Sequence, residues 1–104
     1  MTSQELEGRL RHLCPQTYQL AAPRDATRYI VIHEYGRDGV SGSDTTALTL
    51  PKVQLDIITQ NLTDPLPEDV GALLEALCLP YEVIDVGYDD EYAAMRCIIQ
   101  LVVV

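Results

Sequence analysis

The stretch from Lys52 to Gln60 constrains the fold of this chain more than any other. It runs Lys-Val-Gln-Leu-Asp-Ile-Ile-Thr-Gln, so that Val53, Leu55 and Ile57 alternate with polar residues. A period of two places the two sets on opposite faces of a β-strand. The sequence therefore predicts a strand with one face on a core and the other face toward water or a partner.

Length and composition indicate a single globular domain over residues 1–104. Hydrophobic residues make up 47% of the 104 residues and charged residues 22%, which argues against a disordered chain. Seven basic residues stand against sixteen acidic ones, and the net charge of -9 opposes tight binding to nucleic-acid phosphates. The default interpretation of such an acidic surface is solubility.

The three cysteines and the N-terminus bear on the compartment. Cys14, Cys78 and Cys97 form no Cys-x-x-Cys pair, and each has apolar neighbours, where cysteine usually acts as a small hydrophobic residue. The first residues lack the basic and apolar pattern of a signal peptide, and no apolar run has the length of a membrane span. We therefore expect assembly in a reducing bacterial cytoplasm and no membrane contact.

The first third of the chain predicts a helix, an irregular connection and a strand. Thr2 and Glu5 have the spacing of a capping box, and Pro15 ends the helix that follows. Residues 15–27 contain two prolines among polar residues and are expected to be irregular. Residues 29–35 carry adjacent β-branched residues and predict a strand.

A glycine-rich segment, residues 36–46, separates that strand from the Lys52 strand. Its glycine, aspartate and serine content predicts the loop of a long hairpin. We expect this tip to extend from the body and to become ordered on contact with a partner. The predicted contact residues are Arg37, Asp38, Val40 and Asp44.

The second half predicts one helix and two strands. Asp64 is expected to cap a helix with Pro65 in its first position, and Pro80 closes its apolar stripe of leucines and valine. Gly71 within this helix predicts a close approach to the sheet. Residues 81–86 and 93–104 predict a short strand and a long final strand.

The resulting element order, α-β-β-α-β-β, indicates an α+β fold. We expect a mostly antiparallel four-stranded sheet with both helices on one face and a long hairpin loop.

The other sheet face, which we call the open face, has two possible roles. Ile58, Ile98, Val102 and Val104 are expected on it among polar residues. Scattered apolar residues are normal on a solvated face. Alternatively, Ile98 and Val102 belong to a subunit interface, because clustered exposed apolar side chains often mark partner sites.

The most acidic turn of the chain is the main candidate for metal or acid–base chemistry. Asp85, Asp89, Asp90 and Glu91 lie close in sequence, and oxygen ligands of this kind suit hard cations. Aspartate is also common in solvated turns for backbone reasons, which we prefer, and Tyr88 beside them is a typical interface anchor. No nucleophile–base pair or metal spacing is recognisable, so we expect no enzyme, cofactor or metal.

Residues 53–57 (Val-Gln-Leu-Asp-Ile), the leucine-rich helix and residues 87–91 (Gly-Tyr-Asp-Asp-Glu) together resemble the tail terminator, or tail completion, proteins of long-tailed bacteriophages. The resemblance runs from about Leu6 to Val104. It implies a non-catalytic virion protein that forms a ring, typically hexameric, on the last ring of the tail tube. It also implies contacts with the tube protein and the head–tail connector proteins, and viral DNA passing through an acidic lumen without specific binding.

Two other functions fit the same residues. A small α+β module that binds a ligand or a protein is the first, since this layer arrangement hosts many functions. The second is a metal-dependent enzyme that uses Asp85, Asp89 and Asp90.

Overall fold

A computed structural model describes residues 1–39, 49–91 and 93–103 of the chain. The elements, in order, are α1 (Ser3–Leu13), β1 (Thr17–Gln19), β2 (Arg28–Gly39), β3 (Thr49–Thr59), α2 (Leu66–Ala76), β4 (Tyr81–Asp89) and β5 (Ala94–Val102). Neither helix in this described part is long and apolar enough to cross a membrane.

The strands form one sheet in the order β1-β2-β3-β5-β4. Every neighbouring pair is antiparallel except β1 and β2, which are parallel. The α+β class and the predominantly antiparallel sheet are confirmed. The predicted strand number was wrong, because the sheet has five strands rather than four.

The additional strand lies within the connection that was predicted to be irregular. Thr17, Tyr18 and Gln19 pair with residues 30–32 of β2. Thr17 is fully buried, and its hydroxyl donates a hydrogen bond of 2.7 Å to the Cys14 carbonyl. The two nearby prolines favoured an irregular segment, but the free edge of β2 offers these residues a strand to pair with. Tertiary context here overrides local propensity.

The hairpin strands also extend further than predicted. β2 runs to Gly39 and pairs with Thr49, so the ladder includes Gly36, which was expected to begin the loop. A bulge between Glu34 and Gly36 accommodates the change of register. The predicted tip residues Val40 and Asp44 lie outside the described residues.

One face of the sheet carries the hydrophobic core, as the Lys52 strand predicted. Val53, Leu55 and Ile57 are at most 1% exposed, and they lie opposite the buried residues Leu101, Ile99 and Cys97 of β5. The core residues contributed by both helices belong to the same cluster, which places the helices on one face: Leu6, Leu10, Leu66, Val70 and Leu74. Each such side chain contributes roughly 1.5–3 kcal/mol by leaving water.

The open face is covered at one end, contrary to the expectation for Ile58. Ile58 and Ala94 are buried, and both line a pocket with residues 22–27, which follow β1. The connection from β1 to β2 therefore folds over this end of the sheet. Only the remainder of the open face is available to a partner.

Helix α2 begins two residues after the aspartate that was predicted as its cap. Its first residue is Leu66, and Pro65 occupies the cap position. Asp64 still accepts a hydrogen bond of 2.9 Å from the Leu66 N–H, and its carboxylate also receives two bonds from Arg28 of β2, at 2.7 and 3.1 Å. Asp64 thus joins the start of α2 to the sheet.

The end of α2 is a Schellman motif with a strained residue. The Leu79 N–H donates to the Leu74 carbonyl and the Cys78 N–H to the Glu75 carbonyl, at 2.9 and 3.0 Å. Cys78 has φ of 56°, in the left-handed region that favours glycine. The chain holds this conformation because Leu74 and Leu79 are both buried in the core.

Replacing Cys78 by Gly should therefore stabilise the protein by about 1 kcal/mol, because the left-handed penalty is removed. The matched control is Cys78→Ala, which removes the exposed thiol but keeps the penalty. Urea unfolding in reducing buffer measures both. An equal gain in the two variants would assign the effect to the thiol and contradict the backbone explanation.

Candidate functional site

Strand β4 is the edge of the sheet farthest from β1, and most of it is exposed. It pairs with β5 on one side, and no strand in the described part of the chain pairs with its other side. Exposure extends over both faces of its central residues, 82–86. A long, uncovered edge strand is unusual, because its free backbone groups invite pairing with another chain.

A bulge gives β4 an apolar face toward the helices. Val83 lies opposite Ile99, whereas the next paired residue on the strand, Asp85, lies opposite Ile98. The intervening Ile84 is the extra residue of a bulge. After it, Val86 returns to the helix-facing side, opposite Cys97. The four residues of β4 on that side are Tyr81, Val83, Val86 and Tyr88.

The helices do not cover this face because the layer is too narrow. Two helices packed about 10 Å apart cover roughly 20 Å, which is about four strands at about 4.8 Å each. The sheet has five strands, and α1 packs beside β1, at the opposite edge. The fifth strand, β4, therefore lies beyond α2.

The result is an apolar groove of about 550 Å³ between α2 and β4, which we call the β4–α2 groove. Its floor contains Cys97 and Ile99, which are buried. Val83, Val86 and Leu62, which also line it, are 49%, 57% and 64% exposed. These side chains are unusually exposed for their type and lie side by side.

Carboxylates border one side of the groove. Asp64, Glu68 and Glu75 line it on the side of α2. The hydroxyl of Tyr81 donates a hydrogen bond of 3.1 Å to Glu75, and this bond raises the pKa of Tyr81. The groove therefore presents apolar surface with an acidic border on the side of α2.

Gly71 allows Tyr81 to lie against α2. A Cβ atom at Gly71 would be 2.9 Å from the Tyr81 hydroxyl oxygen and 3.6 Å from its Cζ. The predicted close approach at Gly71 is confirmed, and the contact is the hydroxyl of a β4 side chain.

We expect Gly71→Ala to destabilise the wild-type chain, because the new methyl group displaces Tyr81 and breaks its bond to Glu75. In a Tyr81→Phe background the hydroxyl is absent, and the same change should instead stabilise α2 by about 1 kcal/mol through helix propensity. Thermal unfolding of the four proteins tests this reversal of sign. The same sign in both backgrounds would contradict the contact.

The thiol on the groove floor is a packing group. Cys97 is 5% exposed, and burial, followed by the charge of Asp85, raises its pKa. A thiol held protonated is a weak nucleophile.

The uncovered part of the open face carries a chain of polar side chains. Gln100 donates to Gln54 at 3.2 Å, and Gln54 donates to Asp56 at 2.9 Å. Arg96 donates to Asp56 at 3.3 Å and lies 3.7 Å from Asp89. These groups bind each other, although the Arg96 Nε is buried without a hydrogen-bond partner among the described residues.

The predicted residues of the acidic turn occupy different positions. Tyr88 lies on the helix-facing side of β4 and is 56% exposed. Asp89 ends the strand, contacts Arg96 and accepts a hydrogen bond of 2.9 Å from the Glu91 N–H. Asp90 and Glu91 are exposed in the turn that follows. Of this set, Tyr88 alone is on the face of β4 that borders the groove.

Asp85, Asp89 and Asp90 are the metal ligands of the alternative enzyme hypothesis. Among the described residues, which include these three, no group of three or more His, Cys, Asp or Glu side chains could hold a metal ion. The structure does not bring the three carboxylates together.

The remaining predicted contact residues lie elsewhere. The backbones of Arg37 and Asp38 pair with Pro51 and Leu50 at the far end of the hairpin. Ile98 and Val102 lie on the open face, opposite Asp56 and Lys52, and are half-buried. Their role in an interface stays a prediction.

Sequence reasoning missed Leu62, Val83 and Val86. The signal was present in the apolar run Val83-Ile84 and in Val86, but a strict alternation puts Val83 and Val86 on opposite faces. The bulge that unites them leaves no distinct mark in the sequence.

Comparison with known proteins gives little. No family model matches the chain, and no curated protein matches it. One matching solved structure is described as "Virion of native gene transfer agent (GTA) particle": its chain is 13% identical, with a TM-score of 0.49, and the alignment covers 89% of this chain and 82% of that one. A likeness at this level carries no argument about function.

Proposed function

We propose that this protein is a structural subunit of a phage-like virion, and that it assembles with copies of itself into a ring on the tail tube. In this role it stops tube polymerisation and offers a surface to the head connector proteins, without catalysis. The observation that carries the proposal is the exposed β4–α2 groove at a free sheet edge.

The groove has the properties of a protein-binding surface. Contiguous exposed apolar side chains with a polar border are typical of such surfaces. The groove adjoins an unpaired strand, so a partner gains backbone hydrogen bonds as well as apolar contact. Assembly therefore covers the exposed apolar side chains of β4 and pairs its free backbone edge at the same time.

The charge of the chain suits a ring that admits DNA. The net charge of -9 repels phosphates, so a genome can pass through a lumen without adhering.

The test is to add the purified protein to polymerising tail tubes and examine them by negative-stain electron microscopy. We expect a ring at one tube end and tubes of limited length. Tubes that grow without limit and carry no ring, at a large excess of this protein, would refute the proposal.

A second function is favoured by the same groove. A cavity of about 550 Å³ with few polar groups has the size of a small-molecule site, which suits a ligand-binding module. Its open side toward solvent is less typical, since such sites bury most of the ligand. Fragment screening by protein-observed NMR decides: shifts confined to groove residues at micromolar affinity would favour the module.

A further inference from the structure

We propose that the β4–α2 groove binds the opposite edge of a second copy, the α1–β1 edge, in a head-to-tail contact rather than a two-fold one. This inference rests on the proposed self-assembly and specifies its contact. It follows from how charge and strand direction are distributed across the sheet.

Charge differs strongly between the two edges. No lysine or arginine occurs between Lys52 and Arg96, a stretch that includes all of α2 and β4. The β4–α2 edge instead carries Glu68, Glu75, Glu82, Asp85 and Asp89. On the α1–β1 edge, the exposed side chains of Arg9, Arg11 and His12 in the last part of α1 balance Glu5 and Glu7 of the same helix, and Arg11 lies 3.3 Å from Glu7.

This asymmetry disfavours a two-fold contact through β4. Pairing β4 with the same strand of another copy brings Glu82 and Asp85 of both chains to one seam. Like charges placed across a strand pair are destabilising, and they are costlier when an interface excludes water. The arginines of the α1–β1 edge are the complementary surface that the chain itself offers.

Strand directions permit the head-to-tail arrangement. β2 and β5 run in one direction and β3 and β4 in the other, and β1 is parallel to β2. Copies placed side by side in the same orientation therefore bring β4 of one beside β1 of the next, antiparallel. That pairing extends the sheet over the three residues of β1, whose Thr17 and Gln19 carbonyls also accept bonds within the chain from Arg11 and the Ala21 N–H.

The helix layer fits the same arrangement. α1 lies on the helix-covered face next to β1, where Arg11 donates a hydrogen bond of 3.2 Å to the Thr17 carbonyl. The α1 of the next copy is thereby placed beside the groove. The aliphatic stems of Arg9 and Arg11 can cover the exposed valines while their guanidinium groups meet the carboxylates of α2.

A head-to-tail contact leaves one groove unpaired at one end of an open assembly and one α1–β1 edge unpaired at the other end. Such contacts repeat until the rotation between copies closes a ring, whereas a two-fold contact stops at a dimer. The inferred contact therefore has the symmetry that the proposed function requires.

The experiment uses two variants that each block one surface. Val86→Asp blocks the groove, and Arg9→Glu/Arg11→Glu reverses the α1–β1 edge. Sedimentation velocity up to about 1 mM protein measures association, and circular dichroism verifies that both variants fold. We expect each variant alone to be monomeric, with self-association weakened by about 100-fold or more, and an equimolar mixture to form dimers that grow no further.

The mixture distinguishes the contact types, because each variant retains the surface that the other lacks. A two-fold contact through β4 predicts that the arginine variant dimerises alone and that the mixture gains nothing, which would overturn the inference. So would a wild-type chain that is monomeric at about 1 mM. The conservative Arg9→Lys/Arg11→Lys variant should associate like the wild type, and salt at about 1 M should weaken association.

The outcome is separable from the proposed function. Head-to-tail dimers from a protein that never caps tail tubes would uphold this contact and refute the tail role. Capped tubes together with two-fold dimers in the mixing experiment would uphold the tail role and refute this contact.

Discussion

Val86→Asp is expected to abolish self-association while leaving the monomer folded. The side chain is 57% exposed in the isolated chain, so the free energy of unfolding should change by about 1 kcal/mol at most. In an assembly that covers the groove, the same carboxylate becomes buried without a partner, beside the existing acidic residues. That costs several kcal/mol, enough to weaken association by about 100-fold or more.

Val86→Thr is the matched control, because threonine keeps the branched shape and adds no charge. It should associate nearly as the wild type does. Sedimentation velocity measures association, and urea unfolding measures the monomer. If Val86→Asp assembles normally on tail tubes, the groove is not the contact surface; if it unfolds, the exposed position of Val86 is wrong.

Asp64→Ala should strongly destabilise the monomer, because this one carboxylate joins the sheet to α2. The side chain of Asp64 is 8% exposed, and it accepts bonds from Arg28 and from the first N–H of α2. Losing both should cost about 2 kcal/mol, and lower the melting temperature by roughly 10 °C. Arg28 is 42% exposed and regains water, which limits the cost.

The ion pair between Asp64 and Arg28 also makes the free energy of unfolding depend on pH. The hydrogen bond from Arg28 holds the pKa of Asp64 below its usual value. The unfolded chain therefore takes up this proton first as the pH falls, and the stabilisation is lost progressively below about pH 4. It is fully present at neutral pH.

Asp64→Asn is the control for that charge, because its amide oxygen can still accept from the Leu66 N–H. We expect it to lose about 1 kcal/mol at pH 7 and to approach the stability of the wild type toward pH 2–3. Chemical unfolding at several pH values measures the difference. A gap between the two proteins that is constant from pH 7 to pH 3 would contradict the ion pair.

The core of the fold was predictable from local pattern. Val53, Leu55 and Ile57 alternate with polar residues over a full strand, and leucines at helical spacing cannot be buried except against such a face. These patterns determine the sheet, the helices on one side and the α+β class. The capping box at Thr2 was equally local, and the Glu5 N–H donates to the Thr2 hydroxyl at 3.1 Å.

The candidate site was not predictable, because it results from two non-local features. Three residues of β1 join the sheet only because β2 offers a free edge beside them. That added strand makes the sheet wider than two helices can cover, and β4 is left bare. The bulge at Ile84 then directs Val83 and Val86 to the same side.

The most direct test of the account is hydrogen exchange of the backbone amides before and after assembly on tail tubes. We predict that the amides of β4, over residues 81–89, become strongly protected, because this strand exchanges an open edge for a partner. The amides of β3 are already paired on both sides and should change little. Unchanged exchange in β4, with new protection confined to the β2–β3 hairpin or the open face, would contradict the claim that the β4–α2 groove is the assembly surface.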